Sequence, residues 1–224
     1  MSEYQTFRVT YEVISAVLCF ILVWFMVKPY RFTKKRSYVG LPLAFGLLGT
    51  SYFFSAVTYA QPSFFTDEFL WVQLVARAFS FVFLAATYQF SKKSSETSRL
   101  LWNVIFSFIV VGILTSVVAV IFMPQFNFEN YRVASSYVRI FIIISLIYVI
   151  IRTLRSHVAK PDSTTLLTPF GYILLAISQY SLIIWAAEGS MIAWWGALAL
   201  RWGGLAIFLF VAYVIFYGSR KKVK

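Results

Sequence analysis

The sequence predicts an all-α, polytopic membrane protein: seven transmembrane helices in a single domain over residues 1–224. Three observations carry that expectation. The chain is 60% hydrophobic and 12% charged, whereas soluble domains are nearer half apolar and about a quarter charged. Its apolar residues gather into runs of the length a helix needs to cross a bilayer, roughly 17–25 residues. Its basic residues collect in every second loop, the pattern of a chain oriented by the positive-inside rule.

The first run covers about 11–29 and ends at Lys28 and the basic stretch PYRFTKKRS. The second, 39–60, opens on Pro42, which suits the first turn of a helix. The third, 69–90, is bracketed by QPSFFTDE and SKKSSETSR. The fourth, 100–123, carries no charge between its flanks. The fifth, 135–154, follows PQFNFENYR and runs into RSHVAKPDSTT. The sixth, 168–188, starts at Pro169 and is separated by EGS from the seventh, 192–217.

Charge sets the expected direction. Lys28, Arg31, Lys34, Lys35 and Arg36 mark the first loop, and Lys92, Lys93 and Arg99 the third. Arg152, Arg155 and Lys160 mark the fifth, and Arg220, Lys221, Lys222 and Lys224 the tail. The intervening loops hold Asp67, Glu68, Glu129 and Glu188 against Arg132. The N-terminus is therefore expected outside and the C-terminus in the cytoplasm of a multi-pass plasma-membrane protein. Trp194 and Trp195 suit the outer aromatic belt, Tyr30 and Tyr217 the inner one. With the bases placed by topology, the net charge of +12 does not call for a nucleic-acid partner; the lipid bilayer is the expected one.

The two ends of the chain resemble each other. With Pro42 set against Pro169, Leu47, Leu48, Ser51 and Ala60 fall on Leu174, Leu175, Ser178 and Ala187. Phe45 faces Tyr172, and Lys28 falls on Arg155 without a gap. A three-residue shift in the loop sets Arg77 against Arg201. Residues 11–90 and 135–217 thus read as parallel repeats, with 100–123 as a linker helix that restores direction. Parallel repeats build transporters whose substrate site lies near mid-membrane between the halves.

This plan, seven spans in a three-plus-one-plus-three order with an outside N-terminus, resembles the broad group that includes SWEET-type sugar facilitators and microbial rhodopsins. The resemblance implies a small-solute facilitator or a seven-helix receptor. It departs at diagnostic positions. The seventh span has no lysine, so retinal held as a Schiff base is not expected. The proline-glutamine pair Pro124-Gln125 lies at an outer helix end, not an inner one. The opening stretch is also similar to uncharacterised archaeal membrane proteins, which implies no activity.

Polar residues inside the spans mark candidate sites. Gln73, Arg77, Ser80 and Thr87 share one face of the third span. Ser178, Ser181 and Glu188 share one of the sixth, with Trp185, and Ser51, Ser55 and Tyr59 one of the second. Such stripes face protein or water, not lipid. Arg77 and Arg201 sit about 10–12 Å inside the outer helix ends, where an arginine costs roughly 2.5–3.5 kcal/mol to insert. One reading is a cationic cavity, open outward, in which Arg77 and Arg201 bind a small anionic ligand. Gln73, Ser80, Ser178 and Glu188 complete that candidate site. The other reading pairs each arginine with Glu188, Glu12, Asp67 or Glu68, or lets it snorkel. Arg139 is expected at the interface, and Ser145, Tyr148 and Arg152 in helix packing. Gly46, Gly49, Gly196, Gly203 and Gly204 are expected to allow close helix contacts.

Chemistry is conspicuous by what the sequence omits. Cys19 is the single cysteine and His157 the single histidine, so no metal, haem or other cofactor site is expected within the chain. There is no P-loop, Rossmann glycine fingerprint, HExxH or paired intramembrane carboxylate, so enzymatic activity is not expected. The N-terminal MSEYQTFRVTYE lacks a basic n-region, and no cleavable signal peptide is expected. Transport comes first among the expected functions. A receptor reading through a membrane or cytoplasmic protein partner, or an accessory subunit of a membrane complex, stands as the alternative.

Overall fold

The computed structural model describes residues 3–33, 39–61, 67–90, 96–122, 128–159 and 163–217. They form seven α-helices: α1 (Glu3–Thr33), α2 (Gly40–Ala60), α3 (Asp67–Phe90), α4 (Glu96–Phe122), α5 (Phe128–Ala159), α6 (Ser163–Glu188) and α7 (Met191–Tyr217). All seven are long and apolar enough to cross a membrane. Helices are the expected solution, because a backbone in hydrocarbon must satisfy its own hydrogen bonds. Most run past the apolar windows of the sequence. Those windows mark only the hydrocarbon-crossing part, and a helix continues into the polar interface at no backbone penalty. Pro169 consequently lies inside α6, whereas Pro42 does fall in the first turn of α2.

The side chains of Arg31, Lys34, Lys35 and Arg36, of the basic third loop and the tail, of Asp67, Glu68, Glu129 and Arg132, and of Tyr30 and Tyr217 lie outside the described residues. So does the Pro124-Gln125 pair.

The helices pack as a ring. α1 touches α2, α2 touches α3, α3 touches α5, α5 touches α6, α6 touches α7, and α7 returns to α1. α4 packs against α3 alone among the described residues and turns Leu100, Phe108, Val111 and Leu114 outward. Exchanging α1 with α5, α2 with α6 and α3 with α7 carries every contact of the ring onto another contact of the ring.

Two junctions show why the helices stop where they do. Gly189 takes φ 69°, a left-handed conformation that costs glycine nothing. Its N–H donates to the Trp185 carbonyl at 2.8 Å and closes α6. Ser190 then starts α7, its hydroxyl accepting from the Ala193 N–H at 3.4 Å. Close approach is set by small residues. A Cβ on Gly204 would stand 2.9 Å from the Gly171 carbonyl oxygen, and one on Gly49 3.1 Å from Cys19 Cβ. Gly196 meets nothing within 4 Å, so of these glycines it has no packing role.

One half of the bundle is solid. Cys19, Leu22, Phe45, Phe83, Leu146, Tyr172, Leu175 and Phe208 are buried together. Phe208 packs against Tyr172 at 4.5 Å and Phe45 at 5.8 Å between ring centroids. Arg152 belongs to the wall of this half. Its guanidinium donates to Gln89 Oε1 and, at 3.0 Å, to the Tyr148 hydroxyl, tying α5 to α3. The other half, where α1, α3, α5 and α7 begin, is hollow.

Candidate functional site

A cavity of about 820 Å³ lies between the ring helices in that hollow half. Every ring helix contributes to it, and α4 does not. From α1 come Gln5, Arg8 and Glu12, spaced three and four apart and so on one face. From α3 come Gln73 and Arg77, and from α5 Tyr131, Ser135 and Arg139, again one face at steps of four. Arg201 reaches it from α7, Tyr59 from α2 and Trp185 from α6. Among the described residues, four arginines thus stand against one glutamate.

Arg201 is the best-partnered of them. Its Nη1 donates to both carboxylate oxygens of Glu12, at 3.1 and 3.2 Å, and both residues are buried. Around this pair α1 and α7 are bound tightly. The Tyr11 hydroxyl donates to the Leu198 carbonyl, and Tyr11 stacks on Trp202 at 4.7 Å. Trp202 Nε1 donates to Ser15 Oγ at 3.2 Å. Of the carboxylates considered from sequence, Glu12 is therefore the partner of Arg201. Glu188 is exposed and does not line the cavity.

Arg77 differs. It has no carboxylate partner among the described residues, and its Nε is buried without a hydrogen bond. Asp67 and Glu68, whose side chains lie outside the described residues, sit roughly 13–15 Å from it along α3 by helical rise. What Arg77 does face is the ring of Tyr52, at 5.3 Å, which Arg201 approaches at 4.6 Å. Tyr52 is fully buried. Its electron-rich face is a common neighbour of both cations.

Arg139 lines the cavity with Nη1 buried and unbonded, instead of lying at the interface. Its step-of-four register with Ser135 and Tyr131 was the sequence signal that could have placed it. Arg8 lay ahead of the first apolar run and gave no such signal. It reaches the cavity because α1 begins at Glu3, and it covers the Tyr59 ring at 3.9 Å. Trp194 is turned into the cavity wall, while Trp195 stays exposed.

Gln73 lines the cavity and donates to Thr58 Oγ1 at 3.0 Å. Ser80 and Ser178 are buried behind it, not on its wall. Ser80 donates to the Arg77 carbonyl at 2.7 Å. Ser178 donates to the Ala197 carbonyl at 2.8 Å, pinning α6 to α7. Thr87 and Ser181 spend their hydroxyls on carbonyls one turn back in their own helices. A polar stripe can thus satisfy itself without marking a cavity.

The Ser178 bond has a twin. Ser51, its counterpart in the sequence alignment, donates to the Gln73 carbonyl at 3.1 Å and pins α2 to α3. Gln73 and Ala197 each precede the matched arginine by four residues. The two halves therefore hold Arg77 and Arg201 by the same device. No known protein family, curated protein or solved structure matches the chain.

Proposed function

We propose that the chain is a plasma-membrane facilitator or transporter of small organic anions, with its N-terminus outside. It would act without chemical change to the solute. The observation that carries this reading is the cavity itself: some 820 Å³, walled by all six ring helices, with four arginines and one glutamate. Cations kept in a bilayer-spanning bundle at a cost of several kcal/mol need a counter-charge, and only Arg201 has one among the described residues. The alternation of basic loops orients the hollow half outward. The closed exchange of ring contacts and the paired serine bonds support a parallel repeat with the cavity between its halves.

The solid opposite half favours a second reading. A cavity backed by a packed core is also what a receptor needs, since its ligand enters and leaves by one side. Proteoliposomes distinguish the two. Transport predicts gradient-driven uptake of radiolabelled benzoate that is lost in Arg77→Gln. Saturable benzoate binding with no uptake, in either membrane orientation, would leave the receptor reading in place of transport.

A further inference from the structure

The two halves of the cavity match in position but not in charge. The gapless alignment that sets Lys28 on Arg155 also sets Glu12 on Arg139. The alignment that sets Arg77 on Arg201 covers the facing helices. The ion pair Glu12–Arg201 between α1 and α7 therefore corresponds to Arg139 and Arg77 between α5 and α3, and both helix pairs are in contact. Where one half holds a carboxylate against an arginine, the other holds two arginines. Arg77 and Arg139 line the same cavity. Nε of Arg77 and Nη1 of Arg139 are buried with no hydrogen-bond partner, as is Nε of Arg201, but of the three only Arg201 has a carboxylate among the described residues.

We infer that an organic carboxylate binds between Arg77 and Arg139, in the place that Glu12 occupies against Arg201 in the other half. This rests on the anion reading of the cavity and narrows it to one subsite and one ligand class. Glu12 is the internal example of the ligand group: a carboxylate taking both its oxygens to one guanidinium nitrogen at 3.1 and 3.2 Å. Two guanidiniums converging on a carboxylate give short, charge-assisted bonds and remove their mutual repulsion. The rest of the ligand would lie against Trp185, Leu182 and Leu198, which supply an apolar wall. The ligand is therefore an acid with an apolar or aromatic body, not a bare inorganic anion. Arg201, already neutralised, takes no direct part.

The test uses the full chain in phosphatidylcholine nanodiscs, with benzoate as probe and benzamide as its neutral counterpart. Benzoate should bind saturably and benzamide should not. Arg77→Gln and Arg139→Gln should each weaken benzoate by about 10- to 100-fold, the worth of a charged hydrogen-bonding partner. Arg139→Glu should abolish binding and raise the midpoint of thermal unfolding, because it rebuilds the Glu12–Arg201 arrangement against Arg77. Arg152→Gln, which removes a cation from the solid half, should keep the benzoate affinity of the wild type. Benzoate affinity that falls in Arg77→Gln but not in Arg139→Gln overturns the subsite while sparing the cationic cavity. An Arg139→Glu protein less stable than wild type overturns the equivalence with Glu12. A response to phosphatidylglycerol in the disc in place of benzoate overturns the soluble carboxylate. Benzoate that binds nowhere overturns both the subsite and the broader reading.

Discussion

Arg201 and Arg77 occupy matched places on matched helices, yet they are different kinds of residue. Arg201 is enclosed by α1, bonded to Glu12 and stacked among Tyr11 and Tyr52. Arg77 shares Tyr52 but has no carboxylate partner among the described residues, and the residue aligned with Glu12 is Arg139, which lines the same cavity. The difference teaches that two arginines at aligned positions can be held in unlike ways, one by a carboxylate of the bundle and the other without one among the described residues.

The largest effect should separate the two arginines directly. Glu12→Gln leaves a buried cation without its partner and should cost about 3–5 kcal/mol. Arg77→Gln removes an uncompensated charge and should cost little or raise stability. Thermal unfolding in mild detergent reads both, and equal losses would erase the distinction. Next, Glu12→Leu combined with Arg201→Met should recover most of the loss, since a well-packed apolar pair often matches a buried ion pair. A double variant as unstable as Glu12→Gln would mean that the pair does more than fill and neutralise its site.

Smaller effects test the frame around the arginines. Gly204→Ala pushes a methyl against the Gly171 carbonyl and should cost about 1–3 kcal/mol by overpacking the α6–α7 contact. Gly196→Ala, with open space around it, should lie within about 0.5 kcal/mol of wild type. The smallest effect concerns the twin serines. Ser51→Ala and Ser178→Ala each remove one interhelical hydrogen bond, worth about 0.6 kcal/mol in a membrane bundle. Equal losses would sharpen the equivalence of the halves. A loss confined to Ser178 would argue that the Ser51 bond is incidental.

Much of the fold could be read directly from the residues. Seven apolar runs foretold seven helices, because hydrocarbon thickness sets a length and the backbone must be self-bonded. The helix ends were less legible, since hydropathy marks the membrane and not the helix; Arg8 escaped notice for that reason. The inward face of α3 was legible through Gln73, Arg77 and Ser80, but periodicity could not say which of them a cavity would reach. Ser80 and Ser178 bond to backbone behind the wall, and Glu188 stays exposed.

What the sequence determined alone was the class of molecule, the number of spans and the placement of Arg77 and Arg201 within them. Those follow from composition and period, which act locally along the chain. The tertiary structure alone decided which carboxylate answers which arginine. Glu12 and Arg201 are 189 residues apart, and their pairing depends on the ring closing α1 onto α7. A hydrogen-bonded ion pair needs about 3 Å of separation in space, whatever the separation in sequence. Only the closed ring could therefore reveal that Arg201 has a carboxylate partner while Arg77, among the described residues, has none.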